Sequence, residues 1–190
     1  MPGLKLIPRS TQRDEPWANG AGTTTVIFRE PDSAQWRIRV SVAKVETAGP
    51  FSELAATRRT LVPLDAAITL RFPDGRELHA VRLGRLLFDG VPAPTGLLPE
   101  GPTRDFNLML RGRARGEALP RTLVDRMLLP PEAGTRWLVY LDSGHATLRA
   151  GDAAPAPLAA GDAAIVIPDA GSGRVVLAGA GEIVLVKLYA

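Results

Sequence analysis

The sequence predicts an all-β fold. Short apolar or alternating runs, bounded by Gly, Pro and Asp, recur along the whole 190-residue chain. This is the pattern of half-buried strands joined by tight turns. Apolar residues at helical spacing are hard to find, and the even spacing of the runs is typical of a sandwich or a barrel.

Five runs in the first half have the composition of strands. They cover residues 23–28, 36–45, 59–63, 67–72 and 77–83. Pro73, Asp74 and Gly75 join the last two runs. These residues predict a hairpin, because proline presets φ and glycine accepts a positive φ.

The second half repeats the same style. Its predicted strands are residues 137–141, 146–149, 163–168, 174–177 and 182–189, separated by predicted turns at 142–144, 151–152, 160–162 and 171–173. The one segment compatible with a helix is 121–128. The sequence pattern of residues 59–70 is repeated at residues 136–148. This coarse internal repeat indicates two related barrels, joined within about residues 101–116.

The composition is that of a globular protein with its own core. Hydrophobic residues make up 45% and charged residues 23% of the chain. The net charge is only +3, and acidic residues dilute the densest basic stretch, 104–126, so we expect a solvated or anion-binding face and no nucleic-acid partner. No secretory signal or membrane span is recognisable. We therefore expect a cytoplasmic protein without a membrane partner.

Three segments, in this order, resemble the hallmark motifs of the HutD/Ves family. They are residues 16–24 (PWANGAGTT), 39–43 (RVSVA) with 49–52 (GPFS), and 104–111 (RDFNLMLR). Two positions depart from the family pattern. Ile38 stands where a tryptophan precedes the Arg-x-Ser, and Gly112 separates two arginines that are adjacent in the family.

The resemblance implies a double-stranded β-helix, or cupin, fold with two related barrels in one chain, a bicupin. Residues 1–110 would form an N-terminal cupin-like barrel with the ligand pocket. Residues 111–190 would form a C-terminal cupin-like barrel, packed with the first as one unit. Family members are associated with histidine-utilisation gene clusters and are regarded as regulators or ligand binders. A homodimer is a further expectation, because cupins often associate through their sheets.

The residue types that hold metals and cofactors are scarce. Cupin enzymes usually bind a transition metal through a His-x-His pair, a glutamate and a further histidine. Here the two histidines, His79 and His145, are single and far apart in sequence, and cysteine is absent. The chain also has no Gly-x-Ser-x-Gly elbow and no phosphate loop. We expect no metal and no other cofactor, and a binding protein rather than an enzyme.

Two of the three motifs supply candidate ligand-binding residues on strands. Alternation places Arg39 and Ser41 on one face, where a guanidinium can clamp a carboxylate. The alternative is that Arg39 faces solvent or pairs with an acid across the sheet. The same alternation groups Asp105 with Asn107, which can orient a ligand or satisfy loop backbone.

The remaining motif supplies Trp17 and Asn19, in a glycine-rich loop ahead of the first predicted strand. Glycine permits close approach of backbone amides to a ligand. Trp17 is expected either as a wall of the pocket or as a plug at the barrel end. Phe51 is expected in the core.

These residues support three hypotheses. The leading one is a metal-independent binding protein for a small carboxylated metabolite, regulatory in histidine catabolism, with formylglutamate as the first candidate by resemblance. In it Arg39 is the clamp, Ser41 and Asn107 orient the ligand, and Trp17 is a wall. The alternatives are a cofactor-free isomerase or hydrolase of a small acid, with Asp105 as general base, and a protein-interaction module.

Overall fold

The computed structural model describes residues 3–17, 22–130, 132–167 and 174–189. These residues are mostly antiparallel strands, with a short 3-10 turn at Arg9–Thr11. The strands are β1 (Gly3–Ile7), β2 (Arg13–Pro16), β3 (Gly22–Glu30), β4 (Ile38–Val45), β5 (Gly49–Pro50), β6 (Thr57–Pro63), β7 (Ile68–Arg71), β8 (Glu77–Ala80), β9 (Leu86–Asp89), β10 (Thr95–Leu97), β11 (Thr103–Arg111), β12 (Arg115–Leu129), β13 (Thr135–Ala150), β14 (Ala156–Ala159), β15 (Ala163–Ile167) and β16 (Val175–Tyr189). In these four ranges no helix has the length and apolar character of a membrane span.

The chain divides into two compact units. One is Gln12–Ala114, and the other combines Met1–Thr11 with Arg115–Ala190. The expected domains, 1–110 and 111–190, divide the chain differently. The first strand belongs with the C-terminal half because β1 pairs antiparallel with β15.

The unit Gln12–Ala114 contains two antiparallel sheets. The strand order is β2-β3-β4-β11-β6-β9 in the larger sheet and β5-β10-β7-β8 in the smaller. Leu61 and Phe88 from the larger sheet share an apolar cluster with Ile68 and Leu70 from the smaller. The predicted hairpin joins β7 to β8, and Gly75 adopts the positive φ of 85° that its turn requires.

The second unit contains one sheet of order β1-β15-β13-β16-β12, with β14 paired to β13. Its strands β13 and β16 are long, at 16 and 15 residues. The buried cluster of this unit consists of apolar side chains, among them Leu123, Leu141, Leu148, Leu177 and Ile183.

Two sequence predictions for this unit are wrong. Residues 121–128 are part of β12, not a helix, because pairing with β16 along the whole strand overrides the weak helical signal. Residues 142–144 do not reverse the chain. They form an irregularity between Leu141 and Ser143, and β13 continues beyond it. The turn predicted at 171–173 lies outside the described residues.

Glycines let β13 and β16 approach closely at this irregularity. Gly144 and Gly181 adopt φ values of 87° and 149°. A Cβ atom on Gly181 would overlap the carbonyl oxygen of Ser143, which is backbone and cannot rotate away. This close approach of the two strands therefore requires glycine, both for its positive φ and for its lack of a side chain.

Replacement of Gly181 by alanine tests this close approach. We expect Gly181→Ala to lower the free energy of unfolding by about 1–3 kcal/mol, the usual magnitude for a strained backbone position. Gly3→Ala is the control, because its Cβ would lie at an ordinary 3.7 Å from Ile167. Urea unfolding of both variants measures the effect, and equal stability of the two would contradict it.

Candidate functional site

A cavity of about 470 Å³ lies within the unit Gln12–Ala114. One face of the larger sheet supplies its polar wall through residues of β4 and β11. The end of β2 and the segment 47–54 supply other walls. A volume of this size suits a small metabolite.

Strand alternation and register place the polar side chains in this cavity. On β4, Arg39, Ser41, Ala43 and Val45 line it, as the period of two predicts. β11 pairs with β4 so that Asn107 lies opposite Ser41, Asp105 opposite Ala43 and Met109 opposite Arg39. On the other side of β11, Met109 lies opposite Arg59 of β6. Arg39 and Arg59 therefore flank one central strand.

Three buried side chains form a hydrogen-bonded chain at the base of the cavity. Arg59 Nη2 donates to Asn107 Oδ1 at 2.9 Å, and Asn107 Nδ2 donates to Asp105 Oδ1 at 2.6 Å. The exposed fractions of Arg59, Asn107 and Asp105 are 5%, 2% and 0%. The amide of Asn107 therefore links a buried cation to a buried carboxyl.

Two aromatic rings hold the guanidinium of Arg59. Its Cζ lies 5.1 Å from the ring centre of Phe51 and 5.0 Å from that of Phe88. Such contacts stabilise a cation that has lost water. Burial lowers the pKa of Arg59 to about 10, while the negative charge of Asp105 opposes that change. Arg59 thus remains a cation at neutral pH.

The environment of Asp105 favours its neutral form. Burial raises the pKa of this carboxyl to about 6, against the charge of Arg59 and hydrogen bonds from Asn107 and the Ala43 backbone, which lower it. Asp105 therefore titrates close to neutrality.

Four buried polar atoms along this wall have no hydrogen-bond partner among the described residues. They are Nε of Arg39, Nε of Arg59, Oγ of Ser41 and Oδ2 of Asp105. Buried polar groups normally have partners. The cavity thus offers two cationic donors, a hydroxyl and a carboxyl oxygen to whatever enters it.

Charged side chains continue from Arg39 to the mouth of the cavity. Arg39 Nη2 donates to Glu15 Oε2 at 2.9 Å, and Arg29 Nη1 approaches Glu15 Oε1 at 3.4 Å. Arg29 also donates to Asp32, which accepts two bonds from Arg13. Burial lowers the pKa of Arg39, and the charge of Glu15 opposes that. Hydrogen bonds from Arg29 and Arg13 lower the pKa of Asp32.

The structure brings together five of the six residues predicted from sequence. They are Trp17, Arg39, Ser41, Asp105 and Asn107. The sixth, Asn19, lies outside the described residues. Arg39 combines both of its anticipated settings, because it lines the cavity and also pairs with an acid. Trp17 is half-buried, lines the cavity and donates from Nε1 to Thr24 Oγ1 at 2.8 Å.

Sequence reasoning missed three residues of the site. Arg59 shares the inward face of β6 with Leu61, and the alternation of residues 57–63 contains that signal. Glu15 lies on β2, a short charged strand that was not predicted. Phe51 was expected in the core, whereas it packs against the apolar cluster and also lines the cavity.

The metal site of cupin enzymes has no counterpart in these side chains. His79 is exposed on β8 and bonded to Thr69, and His145 is exposed on β13 of the other unit. No histidine lines the cavity. Within the described ranges no three His, Asp or Glu side chains converge as a metal site. The ligand set of cupin metals does not fit this chain.

Comparison with solved structures defines the class as an all-β, cupin-like protein. The pirin YhhW from Escherichia coli, in complex with nickel(II), matches with a TM-score of 0.70 over 98% of this chain and 99% of its own, at 9% identity. At that identity the likeness concerns the fold alone.

The chain belongs to the HutD family, whose model matches residues 9–185. The conserved protein of unknown function PA5104 from Pseudomonas aeruginosa PAO1 is 25% identical, with a TM-score of 0.88 over 99% of this chain and 100% of its own. HutD from Pseudomonas fluorescens SBW25 is 22% identical, with a TM-score of 0.80 over 98% of each chain.

A curated relative comes from Pseudomonas putida. It is an uncharacterized 21.2 kDa protein in the hutC 3' region, 31% identical over 123 residues. The match spans 60% of this chain and 64% of that protein.

The pKa of Asp105 predicts a pH-dependent contribution to stability. Its folded-state pKa is raised, so its contribution is fully present below about pH 4 and is lost as the pH rises through about 6. Between pH 4 and pH 7 the free energy of unfolding of the wild type should therefore fall by on the order of 2 kcal/mol relative to that of Asp105→Asn.

Urea unfolding across this pH range measures the difference. Asp89→Asn, which removes an exposed carboxyl on β9, is the matched control. If the free energies of unfolding of the wild type and Asp105→Asn change with pH in parallel, burial does not raise the pKa of Asp105.

Proposed function

We propose that this protein is a metal-independent binding protein for a small carboxylated metabolite and that it acts as a regulator of histidine catabolism. One observation carries the proposal. Two arginines on either side of β11 each present a buried Nε without a protein partner to one cavity. A carboxylate is the anion whose geometry suits guanidinium donors.

The other lining residues narrow the chemistry of the ligand. Ser41 Oγ and Asp105 Oδ2 are further buried atoms without protein partners, so a ligand with polar groups beyond its carboxylate is favoured. Phe51, Leu54 and Met109 add apolar contacts for a short carbon chain. An acid such as formylglutamate has these features, and the histidine-utilisation context of the relative from P. putida makes it the first candidate.

We further infer that the protein is a bicupin, in which each unit is a cupin-like barrel. We also infer that it is a cytoplasmic homodimer and that it binds neither nucleic acid nor membrane. Two compact units, each with its own buried apolar cluster, support the two-barrel arrangement. Light scattering on the purified protein tests the dimer, since a monomer mass would contradict it.

Ligand-dependent thermal unfolding tests the binding function. The panel contains histidine-pathway metabolites, formylglutamate included, and other small dicarboxylates, each with and without a chelator. A native-state ligand at 100 times its dissociation constant stabilises by about 2.7 kcal/mol. We expect one acid to raise the unfolding temperature whether or not chelator is present. No shift with any acid would refute the proposal.

Removal of the clamp tests the role of Arg39. Arg39→Ala should weaken binding of that acid by at least about tenfold, since a hydrogen bond to a charged group contributes roughly 1.5–3 kcal/mol. The fold should persist because the pair with Glu15 is partly exposed. Arg71→Ala is the control, as it breaks an exposed pair with Glu77 outside the cavity. Calorimetric titration measures affinity, and equal affinity in both variants would exclude the clamp.

A second candidate function is a cofactor-free isomerase or hydrolase of a small acid. The observation that favours it is Asp105, a fully buried carboxyl with a free oxygen on the cavity wall and a pKa near that of an effective general base. Proton NMR of each bound acid tests it. Under this candidate the wild type converts the acid and Asp105→Asn does not. An acid that is bound and stays unchanged over a day eliminates the candidate.

A further inference from the structure

Glu15 occupies the position at which an incoming carboxylate would meet Arg39. Its Oε2 accepts from Arg39 Nη2 at 2.9 Å, and Nη2 is the neighbour of the unpartnered Nε, so a ligand carboxylate that bonds to both nitrogens meets Glu15. The Glu15 side chain is 41% exposed and that of Arg39 is 17% exposed. The Glu15 carboxylate is therefore more exposed to solvent than the guanidinium that it pairs with.

A second cation gives Glu15 an alternative partner. Arg29 Nη1 already lies 3.4 Å from Glu15 Oε1, so the carboxylate can leave Arg39 without becoming unpaired. Arg29 keeps its position through Nε and Nη2, which both donate to Asp32 Oδ1 at 3.1 and 3.0 Å. Arg13 in turn holds Asp32.

The strand that carries Glu15 is short and lies at an edge of its sheet. Among the described strands β2 pairs with β3 alone, over four residues. The next residue, Trp17, lines the cavity and donates its backbone N–H to the Gly22 carbonyl at 2.9 Å. The end of this strand is held by its pairing with β3 and by the two hydrogen bonds of Trp17, to Gly22 and to Thr24, and a displaced Glu15 would act on it there.

We infer that Glu15 is a built-in competitor for Arg39: a carboxylate ligand binds by displacing Glu15 toward Arg29, which loosens the end of β2. The inference rests on the proposed binding function and adds its regulation. Ligand binding in the cavity would then change the conformation of the exposed edge strand β2, to which a partner protein could bind.

Glu15→Gln tests the competition because it removes the charge and keeps the shape. Its matched control is Glu77→Gln, which removes the same charge from an exposed pair with Arg71 outside the cavity. A partly exposed ion pair changes an equilibrium by up to about fivefold. We therefore expect Glu15→Gln to bind N-formylglutamate about three- to fivefold more tightly than the wild type, and Glu77→Gln to bind it unchanged.

Hydrogen exchange supplies a readout that needs no ligand. In the free protein, the amide of Trp17 should exchange faster in Glu15→Gln than in the wild type or Glu77→Gln. In the wild type, saturation with N-formylglutamate should accelerate the same amide.

The outcomes separate this inference from the function on which it rests. If Arg39→Ala weakens binding and Glu15→Gln binds no more tightly than the wild type, the competition is overturned and the binding function stands. If neither the wild type nor Glu15→Gln binds N-formylglutamate or any other acid of the panel, both fail. Unchanged exchange of the Trp17 amide in Glu15→Gln overturns the link to β2.

Discussion

A buried arginine and a buried aspartate lie in one polar chain inside the larger sheet, and the surrounding strands are arranged so that this burial is tolerated. Arg59 of β6 and Asp105 of β11 are joined through Asn107. An isolated buried charge is strongly unfavourable, so the register of these strands must preserve the hydrogen bonds from Arg59 to Asn107 and from Asn107 to Asp105. A slip of one residue along β11 would turn Asp105 and Asn107 to the opposite face and leave Arg59 without them.

The same arginine separates the apolar core of its unit from the cavity. Phe88 belongs to the apolar cluster, Phe51 packs against it, and the guanidinium lies against both rings. Beyond Arg59 the inward positions include Ser41, Asp105 and Asn107 among apolar residues, and the space they enclose stays accessible. The cluster of the C-terminal unit is built from apolar side chains on strands of the same alternation. Polar side chains at some inward positions therefore distinguish the binding cavity from the filled core.

Local patterns were sufficient to predict much of this arrangement. The alternation of residues 36–45 predicted the shared face of Arg39 and Ser41, and the hairpin at Gly75 followed from turn chemistry. Contacts between distant segments were not predictable in this way. The helix expected at 121–128 is a strand because β16 pairs with it, and the contribution of Glu15 depends on a pairing of β2 with β3 that no local pattern specifies.

The two arginines of the cavity differ in how freely evolution can replace them. Arg59 is 5% exposed, so its loss would leave the buried Asn107 Oδ1 without its donor and the buried Asp105 without a nearby positive charge. Arg39 is partly exposed and belongs to a network at the mouth, where a lost ion pair has little effect on folding. Diversification of ligand preference among descendants of this protein should therefore begin at the mouth, with the buried chain kept as a fixed anchor.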